Sequence, residues 1–206
     1  MKQNAPLFLF TFLVLFLIGC ASGYQTINPK IVSFNSKSAS NEILLEYKYE
    51  LLTNKYKKKE RKHDVRLVAL KLTNLSDKDL VFGQHLKLAY ENGSLIKLLE
   101  RDEIYQETKQ IAGAYFLYLA LTPLQLTINT SKQTGPYSSE SIPIGLFAGP
   151  GLAGRNVIVA SSSNKQYKKD LKEHYLLGRT LKKGETTYGL IGIVSGNYDA
   201  IKFTTE

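Results

Sequence analysis

The chain is 206 residues long, carries a formal net charge of +9, is 43% hydrophobic and holds one cysteine, Cys20. That apolar content excludes a disordered chain, and a lone cysteine excludes an internal disulfide or a thiolate metal cluster. The 13 tyrosines and 9 phenylalanines favour strands over a helical bundle, and the basic balance suits phospholipid headgroups, lipopolysaccharide phosphates, nucleic acid, acidic proteins or simply solubility.

Residues 1–19 begin with Lys2, continue through the apolar run Leu7 to Ile18 and end in Gly19. The run is shorter than the roughly 20 residues that cross a bilayer, so it reads as a signal peptide. The junction Leu17-Ile18-Gly19-Cys20 is similar to the lipobox of bacterial lipoproteins. The resemblance implies diacylglycerol on the Cys20 sulfur, cleavage between Gly19 and Cys20, and a new amino group open to acylation with palmitate-type chains. One acyl chain holds marginally at about 0.8 kcal/mol per methylene, whereas two or three hold permanently. Residues 20–29 are then a lipidated N-terminus and tether, and the small, polar Ala21-Ser22-Gly23-Tyr24-Gln25 suits a flexible link. In enterobacterial lipoproteins an Asp after the cysteine implies inner-membrane retention. Ala21 therefore leans towards the outer membrane, facing the periplasm.

Residues 30–206 read as one domain. A short strand is expected over 30–35. Over 43–52, Leu45, Tyr47, Tyr49 and Leu51 alternate with charged residues, the period of a half-buried strand. Lys55 to Lys62 reads as a basic loop, Val65 to Thr73 as a deeply buried strand, and Asn74 to Lys78 as a turn. Leu80 to Phe82 and Leu86 to Tyr90 continue the strands. Asn92-Gly93 marks a hairpin turn with a return strand over Ser94 to Leu99. Glu103 to Leu121 lacks alternation and reads as a helix that Pro123 ends or kinks. Residues 129–141 read as a Ser/Thr/Gly/Pro loop, and Arg155 to Tyr175 as a second helix with a lysine-rich outer face, stopped near Gly178. Tyr188 to Val194 and Tyr198 to Thr204 read as a closing hairpin around Gly196-Asn197.

Strands, a helical excursion and further strands give a mainly β fold of the α+β class, a sandwich with a two-helix insertion over about 100–178. Leu67 to Phe82, a strand ending in Asn with a polar turn and a short apolar strand, resembles immunoglobulin-like domains of bacterial lipoproteins. Leu181 to Ile193, a Gly-Glu turn and strand, is similar to the late part of such domains. Ile142 to Leu177 resembles part of uncharacterised envelope lipoproteins of Bacteroidetes-type bacteria, which implies no activity. The expected fold is thus an immunoglobulin-like β-sandwich with a two-helix insertion.

Gly149-Pro150-Gly151-Leu152-Ala153-Gly154 formally matches GxGxxG, with Asp170 at the distance of a ribose-binding acid. Lys165 to Lys169 before that acid is a polar helix face rather than a buried strand, so the motif reads as a glycine turn before a helix. His63, His85 and His174 have no partner at metal-ligand spacing, and Ser161, Ser162 and Ser163 lie outside any GxSxG elbow. A spatially assembled triad stays open, because triads need not be close in sequence. The apolar segments 111–128 and 142–160, with Gly145 and Gly149 at close-packing spacing, are open to two readings: burial against the sheet, or entry into the bilayer. Lys55 to Lys62 is either a solvated loop or a contact to anionic headgroups. Nucleic acid does not suit an exported, lipid-tethered chain. The expectation is a non-enzymatic envelope lipoprotein, an interaction or structural module tethered through Cys20, with no cofactor and no metal and with a membrane or envelope protein as partner. The alternative is a component whose apolar insertion enters the bilayer or binds a membrane partner.

Overall fold

The structure, a computed structural model, describes residues 20–40, 42–130 and 138–205. Leu17, Ile18 and Gly19 of the expected cut site lie outside the described residues, as does part of the expected loop 129–141. In chain order the elements are β1 (Ser36–Ala39), β2 (Ile43–Lys48), α1 (Asn54–Lys62), β3 (Val65–Asn74), β4 (Leu80–Val81), β5 (Leu86–Tyr90), β6 (Leu98–Leu99) and α2 (Arg101–Thr108). There follow a 3-10 helix (Ala112–Leu121), β7 (Leu126–Thr130), β8 (Ser138–Ile142), α3 (Ile144–His174), β9 (Thr180–Leu181), β10 (Thr186–Val194) and β11 (Ile201–Thr205). The chain forms two compact units. One joins residues 20–23 to Ile111–Ser162, and the other joins Tyr24–Gln110 to the chain from Ser163 onward.

The larger unit is α+β. Its five-stranded antiparallel sheet has the order β1-β2-β3-β10-β6, and two further ribbons pair β11 with β5 and β4 with β9. β3 is buried almost throughout because both of its faces are covered. Val68, Leu70 and Leu72 point into a core shared with Phe82, Leu86, Leu88 and Ile201 of the ribbon side. Val65, Leu67 and Ala69 point the other way, into a core with Tyr56 of α1, Ile104 of α2 and Tyr167 and Leu171 of α3. The layers are therefore helices, sheet and ribbons. The stretches Leu67 to Phe82 and Leu181 to Ile193 lie side by side, through Leu67↔Gly192 to Thr73↔Thr186 in β3–β10 and Leu80↔Leu181 in β4–β9. Asn74 ties them together: its Nδ2 donates to the carbonyls of Lys78 and Leu181 at 2.8 and 3.0 Å.

Several elements differ from the sequence expectation. Among the described residues there are three α-helices rather than two. The extra one, α1, occupies the Lys55 to Lys62 stretch expected as a loop. Lys, Glu and Arg are good helix formers, Tyr56 and Glu60 fall four apart on one buried face, and Lys59, Arg61 and Lys62 complement the negative end of the helix dipole. Residues 30–35 hold no strand, the first beginning at Ser36. The helix expected over Glu103 to Leu121 is broken. α2, started by the reciprocal Glu100–Glu103 capping box, ends at Thr108, and a 3-10 helix follows. After Asn92-Gly93 the return strand is reduced to the single bridge Ala89↔Leu95, and β6 pairs instead with β10. β10 and β11 exist but do not pair with each other: β10 lies beside β3, and β11 beside β5.

In the smaller unit the 3-10 helix leads to the β7–β8 hairpin, which occupies part of the expected loop, with Leu126 opposite Ile142. α3 begins at Ile144 rather than near Arg155 and runs through Gly149 to Gly154, with Pro150 inside it. Gly145 and Gly149 bring α3 against the end of the 3-10 helix. A Cβ on Gly145 would stand 2.0 Å from the Leu121 carbonyl oxygen, and one on Gly149 would stand 2.7 Å from Thr122 Oγ1. Among the described residues no helix is long and apolar enough to cross a membrane.

Candidate membrane interface

Cys20 is half-buried and belongs to the smaller unit. Beside it stand Tyr115 and Tyr118, whose rings stack in parallel with centroids 6.3 Å apart. Burial raises the pKa of both phenols, and the Cys20 thiol adds to the rise in each.

Residues after Cys20 make hydrogen bonds to side chains of α3. Ala21 N–H donates to Asn156 Oδ1 at 2.8 Å, Tyr24 N–H to Ser163 Oγ at 3.2 Å, and Ile27 N–H to Asp170 Oδ2 at 3.0 Å. The acceptors are seven residues apart on α3 and the donors three apart in the segment. The Tyr24 hydroxyl also donates to Asp170 Oδ2 at 2.9 Å. Burial, then the Asp170 carboxylate, push the Tyr24 pKa far upward. The Tyr24 ring meets those of Tyr56 and Tyr167 at 5.4 and 5.1 Å, and Ile27 is buried. Asp170 is itself buried and not part of a solvated face. Its sequence signal was a polar residue recurring every second turn, which the surrounding lysines hid.

The smaller unit exposes large apolar side chains. Leu117 is 77% exposed, Phe147 75%, Ile158 69% and Phe116 57%, whereas Tyr115 is the one buried residue of the 3-10 helix. Residues 111–162 contain three charged side chains, Lys132, Glu140 and Arg155. An exposed apolar surface that is poor in charge marks contact with a membrane or another protein.

The remaining candidates lie elsewhere. Gly149, Gly151 and Gly154 sit inside α3, which corrects the expected turn before a helix. Ser162 Oγ donates to the Val159 carbonyl at 3.1 Å, and Ser163 Oγ accepts from Tyr24. His85 Nδ1 accepts from Val81 N–H at 3.0 Å, and His174 ends α3. His63 Nδ1 lies 2.6 Å from Glu107 Oε2. These two border a cleft of about 690 Å³ whose other lining includes Lys97, Asp102 and Glu103 but no hydroxyl side chain. Among the described residues no three His, Cys, Asp or Glu gather where they could hold a metal ion. Sequence reading missed Glu60, which is fully buried in α1. Its Oε1 accepts from Leu67 N–H at 2.8 Å while Oε2 has no hydrogen-bond partner.

No protein-family model, curated protein or solved structure matches the chain.

Proposed function

We propose that the chain is a cell-envelope lipoprotein, a non-enzymatic interaction or structural module anchored through diacylglycerol on Cys20 and resident in the outer membrane facing the periplasm. The observation that carries this reading is the coincidence of the Leu17-Ile18-Gly19-Cys20 signature with an exposed apolar surface in the unit that holds Cys20. The β layers support an immunoglobulin-like sandwich as the frame of the larger unit, because one core lies between the five-stranded sheet and the β-ribbons. Helices cover the other face of that sheet. Fractionation of a Cys20→Ser variant beside the wild type, with carbonate extraction and detergent partitioning, tests the anchor. The expected result is a wild type that resists carbonate and a variant released by it.

A second reading, favoured by Leu117, Phe116, Phe147 and Ile158, is that residues 111–128 and 142–160 enter the bilayer surface or bind a membrane partner. A Cys20→Ser protein that is cut to mature size yet still resists carbonate makes this the leading function.

A further inference from the structure

We infer that Asn156 is the seat of the lipidated amino terminus, its side-chain amide donating a hydrogen bond to an acyl carbonyl carried by Cys20. The inference rests on the acylation of Cys20 proposed above. Asn156 is 4% exposed. Its Oδ1 accepts the Ala21 N–H at 2.8 Å, so its amide is held beside the residue bonded to Cys20. Its Nδ2 is buried and has no hydrogen-bond partner. A buried amide N–H₂ without an acceptor is unfavourable, and Asn offers two donors at that nitrogen. The matching ligand chemistry is therefore a carbonyl oxygen close to Cys20.

Maturation brings carbonyls to that position. Attachment of diacylglycerol to the sulfur adds two ester carbonyls, and acylation of the new amino group adds an amide carbonyl. A bare ammonium on Cys20 is a donor and leaves Nδ2 unsatisfied. Asn156 thus reads the acylated terminus in two ways, accepting from the first peptide N–H after the cysteine and donating to the acyl group before it.

The test uses the full-length chain purified in detergent, with wild type, Asn156→Asp and Asn156→Leu each made in Cys20 and Cys20→Ser forms. Asp keeps the acceptor for Ala21 and removes the donor; Leu removes both. Mass spectrometry reports the acylation state, and thermal melting reports the gain that acylation brings. The expected gain is about 3 °C larger in wild type than in either Asn156 variant, the size of one hydrogen bond in a chain of this length. Hydrogen exchange at Ala21, slow in the Asp variant and fast in the Leu variant, reports whether the fold around residue 156 is kept. An equal gain in all three proteins overturns the inference while leaving the anchor standing. A wild type without acyl mass overturns the anchor and this inference together. Comparison of the diacyl and triacyl forms identifies the carbonyl: a gain already present in the diacyl form assigns the ester, and one confined to the triacyl form assigns the amide.

Discussion

Glu60 is a carboxylic acid placed where the interior opposes its charge. Burial pushes its pKa up to about 7, against the opposing pull of the Leu67 N–H, Arg66 and Lys57. A carboxyl whose pKa is higher in the folded than in the unfolded chain binds its proton more tightly when folded. Its contribution to stability is complete below about pH 4.5 and is lost as pH rises through about 7, to a total of roughly 3 kcal/mol. Glu60→Gln keeps an oxygen for Leu67 N–H and removes the charge. Urea unfolding at pH 5 and pH 8 should show wild type weakening between the two while the variant changes much less; parallel losses would refute the assignment. Asn74 is the opposite case, a polar group with its partners in place. Asn74→Ala should cost about 2–3 kcal/mol in the same assay, because it strips the Lys78 and Leu181 carbonyls of their donor. Asn74 was legible as a strand end followed by a turn. Glu60 was not, since a Glu among lysines reads as solvated and only the tertiary fold reveals its surroundings.

At the scale of elements, the alternation of β2 and the continuous apolar run of β3 were readable because each pattern depends on the strand and the faces it covers. The partners of β10 and β11 were not readable. Gly196-Asn197 is a good local turn, but β10 carries apolar groups for both faces, with Leu190 in the helix-side core and Ile191 and Ile193 in the ribbon-side core. Such a strand belongs in the sheet interior, where its fullest partner is β3, across nine residue pairs. α2 lies against β10 at Gly192, where a Cβ would fall 2.3 Å from Ile104 Cγ1. Gly192→Val should therefore destabilise the larger unit by about 2 kcal/mol or more, seen as a lower urea midpoint. The contact of the N-terminal segment with α3 hangs on Asp170, which accepts from both Ile27 N–H and the Tyr24 hydroxyl. Asp170→Ala should cost about 2–3 kcal/mol and open residues 24–27 to limited proteolysis. A segment equally resistant in both proteins would mean that the Tyr24 aromatic contacts and the Ser163 hydrogen bond suffice to hold it.

At the scale of the whole molecule, polar and apolar surfaces are divided between the two units. The smaller unit carries most of the exposed large apolar groups, whereas the lysine-rich α1 belongs to the larger one. The apolar character of 111–128 and 142–160 was plain in the sequence. Whether it was buried was not, because hydrophobicity alone does not distinguish a core from an exposed face. If that face meets lipid, Phe147→Glu in the Cys20→Ser background should lower binding to phospholipid vesicles about tenfold, the worth of one large apolar side chain leaving the interface. Unchanged binding would assign the surface to a protein partner instead.

The hydrogen bond from Ala21 to Asn156 also sets how far the smaller unit can stray from Cys20. One peptide step separates Cys20 from the first hydrogen bond at Ala21, which leaves a slack of about 4 Å. With Cys20 acylated as proposed, the smaller unit is moored at the bilayer surface and does not swing on a long leash. Its encounters then occur in the plane of the membrane, with other anchored proteins or with whatever is delivered to that height.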